Sequence, residues 1–131
     1  MKNKLEWLER SLLLAPYYCL VLNEKQFHKA LKHLRLPRED WPSFLTTSHA
    51  NATAHHFKKG DGSLATVVCL GSTEGRELHT IYGLLIHEAV HIWQEYREFI
   101  GEHSPSSEFE AYSIQWIAQN LIDSYIRQTS K

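Results

Sequence analysis

A chain of 131 residues, 43% hydrophobic and 22% charged, is the size of one globular domain with a sizeable core, so no second domain is expected. A formal net charge of −1 argues against a general nucleic-acid binder, and no run approaches the roughly 18 apolar residues of a membrane span. The charge is uneven, since residues 1–60 hold ten Lys and Arg against five Asp and Glu, while residues 61–131 hold four against ten. Lys25, Lys29, Lys32 and Arg35 carry part of the basic excess on or just past one predicted helix, the pattern of a solvated face.

In chain order, residues 3–14 read as a short amphipathic helix. Glu6, Glu9 and Arg10 break the apolar core that a signal peptide would need, so a cytoplasmic setting is expected. Pro16 to Leu22 is aromatic and branched and reads as a strand. Asn23 stands where it can N-cap a helix running to about Leu34, and Pro37, Pro42 and the polar stretch Thr46 to Asn51 mark a connection. Thr53 to Phe57 and Ser63 to Leu70 are strand-like, with Gly60-Asp61-Gly62 as a hairpin turn between them. This antiparallel ribbon is expected to be extended by the Tyr17 strand. Cys19 and Cys69 could pair only from adjacent strands, and in a chain without an export signal they are read as free and buried.

After Gly71-Ser72-Thr73, the run Leu78 to Ile100 contains no proline and only Gly83, with Ile81, Leu84, Leu85, Ala89, Ile92, Tyr96 and Phe99 at helical spacing. Gly101 closes this helix as its C′ residue. Ser104 as N-cap and Pro105 as first residue then open a last helix to about Arg127. The expected fold class is α+β.

Within the long helix lies His87-Glu88-Ala89-Val90-His91. Side chains four apart on a helix lie one above the other, so His87 and His91 can aim imidazole nitrogens at a single ion. Zinc takes such nitrogens at about 2.0–2.1 Å. Glu88, rotated about 100° from His87, belongs beside the metal, where its carboxylate can take a proton from a bound water. Two imidazoles and a carboxylate in a packed helix are costly unless something binds them, because unpaired polar groups in apolar surroundings cost a few kcal/mol.

A catalytic zinc normally has three protein ligands, and the next helix offers Glu108 and Glu110. Acids early in a helix also complement its macrodipole without any metal. Glu110 shares a stripe with Ser113, Ile114, Ile117 and Leu121, the face that should pack inward, while Glu108 shares one with Ala111, Tyr112, Gln115 and Gln119. Packing therefore favours Glu110, with Glu108 as the alternative.

His87-Glu88-Ala89-Val90-His91, followed 19 residues after His91 by Glu110-Ala111-Tyr112-Ser113, resembles the zincin superfamily of metallopeptidases in its glutamate-ligand (gluzincin) branch. That branch often carries a small residue three positions after the ligand. Ser113 meets this for Glu110 and Ala111 for Glu108, while Tyr112 stands where relatives often have Asp or Asn. The tail from Leu85 to Tyr125 is similar to small zincin-like proteins encoded by phages and prophages. The resemblance implies a minimal zincin-like fold, with a small antiparallel sheet packed on the motif helix and the C-terminal helix after it. It also implies a Zn2+ cofactor held by His87, His91 and a glutamate, and a metallopeptidase activity on peptide or protein, with zinc-activated water and Glu88 as general base. In such enzymes the substrate lies along an edge strand, for which Leu64 to Leu70 is the candidate. The competing expectation is a non-catalytic, phage-derived metal-binding structural or interaction protein of the same fold. Glu88 counts against it, since a purely structural site has no use for a base.

Among the other polar and aromatic residues, His55 and His56 are neighbours on a strand and so face opposite ways, and both read as surface or sheet-edge histidines. His79 reaches the rim of the site at most, and Gln94 receives no role. Tyr112 is a candidate oxyanion stabiliser, since a hydroxyl opposite zinc can support a tetrahedral intermediate. Trp7, Trp41, Trp93 and Trp116 read as core, and the Trp41-Pro42 loop as a segment that could cover the cleft.

Overall fold

The computed structural model describes residues 3–8, 16–47, 49–59 and 62–130. Its elements are β1 (Trp7–Leu8), β2 (Tyr17–Val21), α1 (Glu24–His33), a 3₁₀ turn at Arg38–Asp40, β3 (Ala52–Lys58), β4 (Leu64–Leu70), α2 (Leu78–Phe99) and α3 (Ser107–Thr129). The class is α+β, as the sequence pattern implies.

The sheet is mixed rather than wholly antiparallel. Its order is β1-β2-β4-β3, with β3 antiparallel to β4, β1 antiparallel to β2, and β2 parallel to β4. A parallel pair needs a long crossover, which the segment carrying α1 supplies between β2 and the β3–β4 hairpin. Two expectations are corrected by this order. The Tyr17 strand joins β4 in parallel, and Leu64–Leu70 is an inner strand, leaving Ala52–Lys58 as the edge beside α2.

The expected helix over residues 3–14 is also corrected at its start, and its residues 9–14 lie outside the described residues. Trp7 and Leu8 pair with Cys19 and Tyr18, and the Trp7 ring stacks on Tyr17 at 4.6 Å between centroids. Ladder hydrogen bonds and aromatic stacking there outweigh a weak local helical preference.

Strand alternation sends successive residues to opposite faces, so the sheet divides two cores. Tyr18, Leu20, Val68 and Leu70 pack against Ile81, Leu85, Ala89 and Ile92 of α2 and Ile117 and Leu121 of α3. Cys19, Val21, Ala65, Val67 and Cys69 pack against Phe27, Ala30 and Leu31 of α1. Both cysteines are free and buried although their strands are neighbours, because Cys19 stands opposite Val67 and Cys69 opposite Val21.

The helix ends follow their capping chemistry. Asn23 accepts from the Gln26 amide at 2.9 Å and opens α1, and Gly101, at φ 78°, takes the left-handed C′ position after α2. The start of α3 differs from expectation, since Ser106 rather than Ser104 is the N-cap and accepts from the Phe109 amide. Pro105 therefore precedes the helix. No described helix is long and apolar enough to cross a membrane.

Candidate active site

One turn of α2 carries His87, Glu88 and His91, and its sheet-facing neighbours Leu85, Ala89 and Ile92 hold that turn rigidly in the core. The two histidines lie at the surface with their Nε2 atoms 3.2 Å apart and their rings at 78°. Two ligands at about 2.05 Å from one ion, separated by that distance, subtend an angle of about 100°, close to the tetrahedral value zinc prefers. The pair thus offers two of the three protein donors a catalytic zinc takes, at a distance that also allows a hydrogen bond between the rings. The Nδ1 of His91 donates to Gln94 Oε1 at 3.1 Å, which leaves Nε2 with its lone pair toward the shared point. Gln94, which sequence reasoning left without a role, thus fixes the tautomer of His91.

Glu88 is 5% exposed. Burial pushes its carboxyl above the ordinary glutamate range, and His87 and His91 pull it partly back. A carboxylate held this way is a stronger proton acceptor than one in open water.

These three residues form one wall of a cleft of about 330 Å³. The opposite wall is the edge strand β3, through Ala52, Thr53, Ala54 and His56, with Thr46 and Ala50 of the preceding loop at the mouth. The Trp41-Pro42 loop does not cover this cleft. Trp41 donates to Leu36 O at 3.0 Å, stacks on His28, and packs with the α1-side core.

His55 and His56 separate as strand alternation requires. His55 stacks on Phe27 and bonds Phe44 O at 2.9 Å on the α1 side, so it is a packing residue. His56 faces α2, with Nδ1 2.8 Å from the hydroxyl of its cross-strand partner Thr66. Burial lowers the His56 pKa, Glu95 raises it, and His91 and His55 lower it further. Its place in the cleft was readable only as a face of a strand, because the sequence does not say which side of the sheet the motif helix covers.

The acidic residues of α3 stand elsewhere. Glu110 is half-buried on the inward stripe, as its spacing predicts, but its Oε2 accepts from the Trp93 indole N–H at 2.8 Å. Trp93 lies two residues past His91, about 200° round the helix, so Glu110 flanks the side of α2 away from the histidine pair. Glu108 is exposed in the first turn of α3. Among the described residues, no group of three or more His, Cys, Asp or Glu gathers closely enough to hold a metal ion. Tyr112 is 65% exposed and does not line the cleft. Trp116 is 52% exposed, so of the four tryptophans only Trp93 is a fully buried core residue, with Trp7 and Trp41 half-buried. His79 is exposed in the first turn of α2.

No family model, no curated protein and no solved structure matches this chain.

Proposed function

We propose that this chain is a zinc-dependent peptide-bond hydrolase of zincin-like type, with its reaction centre in the cleft between α2 and β3. The observation that carries the reading is the convergence of two imidazole nitrogens, 3.2 Å apart, beside a buried carboxyl in a cleft walled by an open strand edge. His87 and His91 hold the metal. Bound there, zinc supplies Lewis-acid polarisation of a carbonyl and lowers the pKa of water to about 7.

The chain's own groups supply the rest. Glu88 accepts the proton of the attacking water and returns it to the leaving amine. Its burial keeps bulk water from competing for that proton. The free edge of β3 offers backbone N–H and C=O groups to an extended peptide, which binds by adding a strand. The third protein donor in this reading is Glu110 or, as the alternative, Glu108, although Glu110 is held by the Trp93 indole and neither lines the cleft. For Glu110 to serve, its carboxylate would have to leave the Trp93 indole.

The zinc content of untagged protein, measured beside His87→Ala, Glu110→Ala and Glu108→Ala, tests the centre. The expected result is about one zinc per chain, lost in His87→Ala and in one glutamate variant only. Glu88→Gln is expected to keep the zinc and lose hydrolysis of a mixed peptide library by at least ~10²-fold. Wild type that takes up no zinc on titration, or equal hydrolysis by wild type and Glu88→Gln, would sink the reading.

A further inference from the structure

Of the polar side chains lining the cleft that the chemistry above does not use, Thr46 and Thr53 bond each other, which leaves His56. His56 is held on the α2 side of the sheet by strand alternation, and its Nδ1 is tied at 2.8 Å to Thr66, which is 2% exposed. A hydroxyl so deeply buried has little access to water, so the ring is anchored across the β3–β4 ladder. Nε2 makes no other hydrogen bond among the described residues and is the nitrogen left for the cleft. His87, Glu88 and His91 stand on the facing wall.

His56 shares their cavity but does not complete a three-donor group with them. It also lies on the strand along which an extended peptide would bind, so a carbonyl at the reaction centre has β3 on one side and α2 on the other.

We propose that His56 is a catalytic residue of this site, donating a hydrogen bond from Nε2 to the carbonyl oxygen of the peptide bond under attack. The inference rests on the hydrolase reading and adds a group to it. In the tautomer this role requires, the Thr66 hydroxyl donates to Nδ1 and the ring proton sits on Nε2. As the water oxygen adds to the carbonyl carbon, the π electrons move onto the carbonyl oxygen, and the His56 N–H meets the charge growing there. The C–N bond then breaks, the electron pair returns, and the proton on Glu88 goes to the departing nitrogen. His56 transfers no proton in this sequence. It fills the part that the sequence pattern offered to Tyr112, which faces solvent.

The test uses zinc-loaded wild type, His56→Phe and His56→Gln, each checked for an unchanged thermal melt. Three quantities are read: zinc affinity by chelator competition, kcat and KM on one cleaved peptide, and the affinity of a phosphinic-peptide analogue. His56→Phe is expected to lower kcat by ~10²–10³-fold, the usual cost of losing one oxyanion donor, with KM changed only a few-fold. The phosphinate should weaken in parallel and zinc affinity should hold within about two-fold. His56→Gln keeps an N–H donor and should recover part of the loss. Unchanged kcat in His56→Phe overturns the inference while leaving the hydrolase reading intact. Zinc affinity falling with kcat also overturns it, by making His56 a metal donor. A wild type that binds neither zinc nor the phosphinate overturns both readings, and that failure is seen before any variant is made.

Discussion

The two sides of the sheet are built from the same strands and end up with opposite characters. On the α1 side, His55 packs on Phe27, Trp41 on His28, and Phe44 edges onto Phe27, so polar rings are absorbed into a closed aromatic layer. On the α2 side the core packs around Leu85 and Ile92, but a polar cleft lies between β3 and the helix. His55 and His56 show what this means for a side chain. They are adjacent, yet one is bound to a main-chain carbonyl within the packing and the other to a buried threonine at the rim of the cleft. Residue type does not decide the role, whereas the face of the strand does.

If the α2 side is functional and the α1 side structural, the largest effect falls on Glu88. Its conversion to Gln should cost at least ~10²-fold in hydrolysis with little loss of fold, because the amide has the same volume and no charge to bury. Core truncations come next and should not distinguish the sides. Leu85→Ala and Leu31→Ala both remove fully buried leucines, so each should cost about 2–5 kcal/mol in denaturant unfolding. A Leu31→Ala cost below about 1 kcal/mol would mean that the α1 layer is less well packed than its burial indicates. The third effect separates the histidines. His55→Ala removes a hydrogen bond and a stacked contact worth about 1–3 kcal/mol together, and it should leave zinc binding and kcat within two-fold. Lost hydrolysis in a folded His55→Ala protein would break the division between the two sides.

Much of this division was legible in local pattern. The motif helix, its glycine cap, the hairpin and the Asn23 cap follow from period, breaker and capping chemistry, each a matter of a few neighbouring residues. The inward stripe of Glu110 was also readable, but not its partner, because the angle at which α3 crosses α2 sets whether that stripe meets the histidines or Trp93. The edge strand is hidden from local pattern for a related reason. Leu64–Leu70 precedes the motif helix in the chain, while the parallel pairing with β2 that turns it into an inner strand is a long-range choice. Trp116 read as core on composition alone, although its position on α3 leaves it on an exposed flank.

The smallest effect concerns the stability of the metal-free protein. Burial holds the Glu88 carboxyl above its unfolded value, against the pull of His87 and His91. A folded state with the higher pKa binds the proton more tightly. The stability linked to Glu88 is therefore fully present below the unfolded value and is lost as pH rises through the folded one. Glu88→Gln has no charge to bury and escapes that loss. Urea midpoints taken with chelator from about pH 4 to pH 8 should show the variant gaining on wild type as pH rises. Added zinc should shrink the gap, since a cation beside Glu88 favours its ionised form. Among the described residues no carboxylate is buried in the α1-side core, so Leu31→Ala should show no comparable drift with pH. A gap constant across that range would mean that the Glu88 carboxylate is solvated through the cleft, and that the open side carries no electrostatic strain of its own.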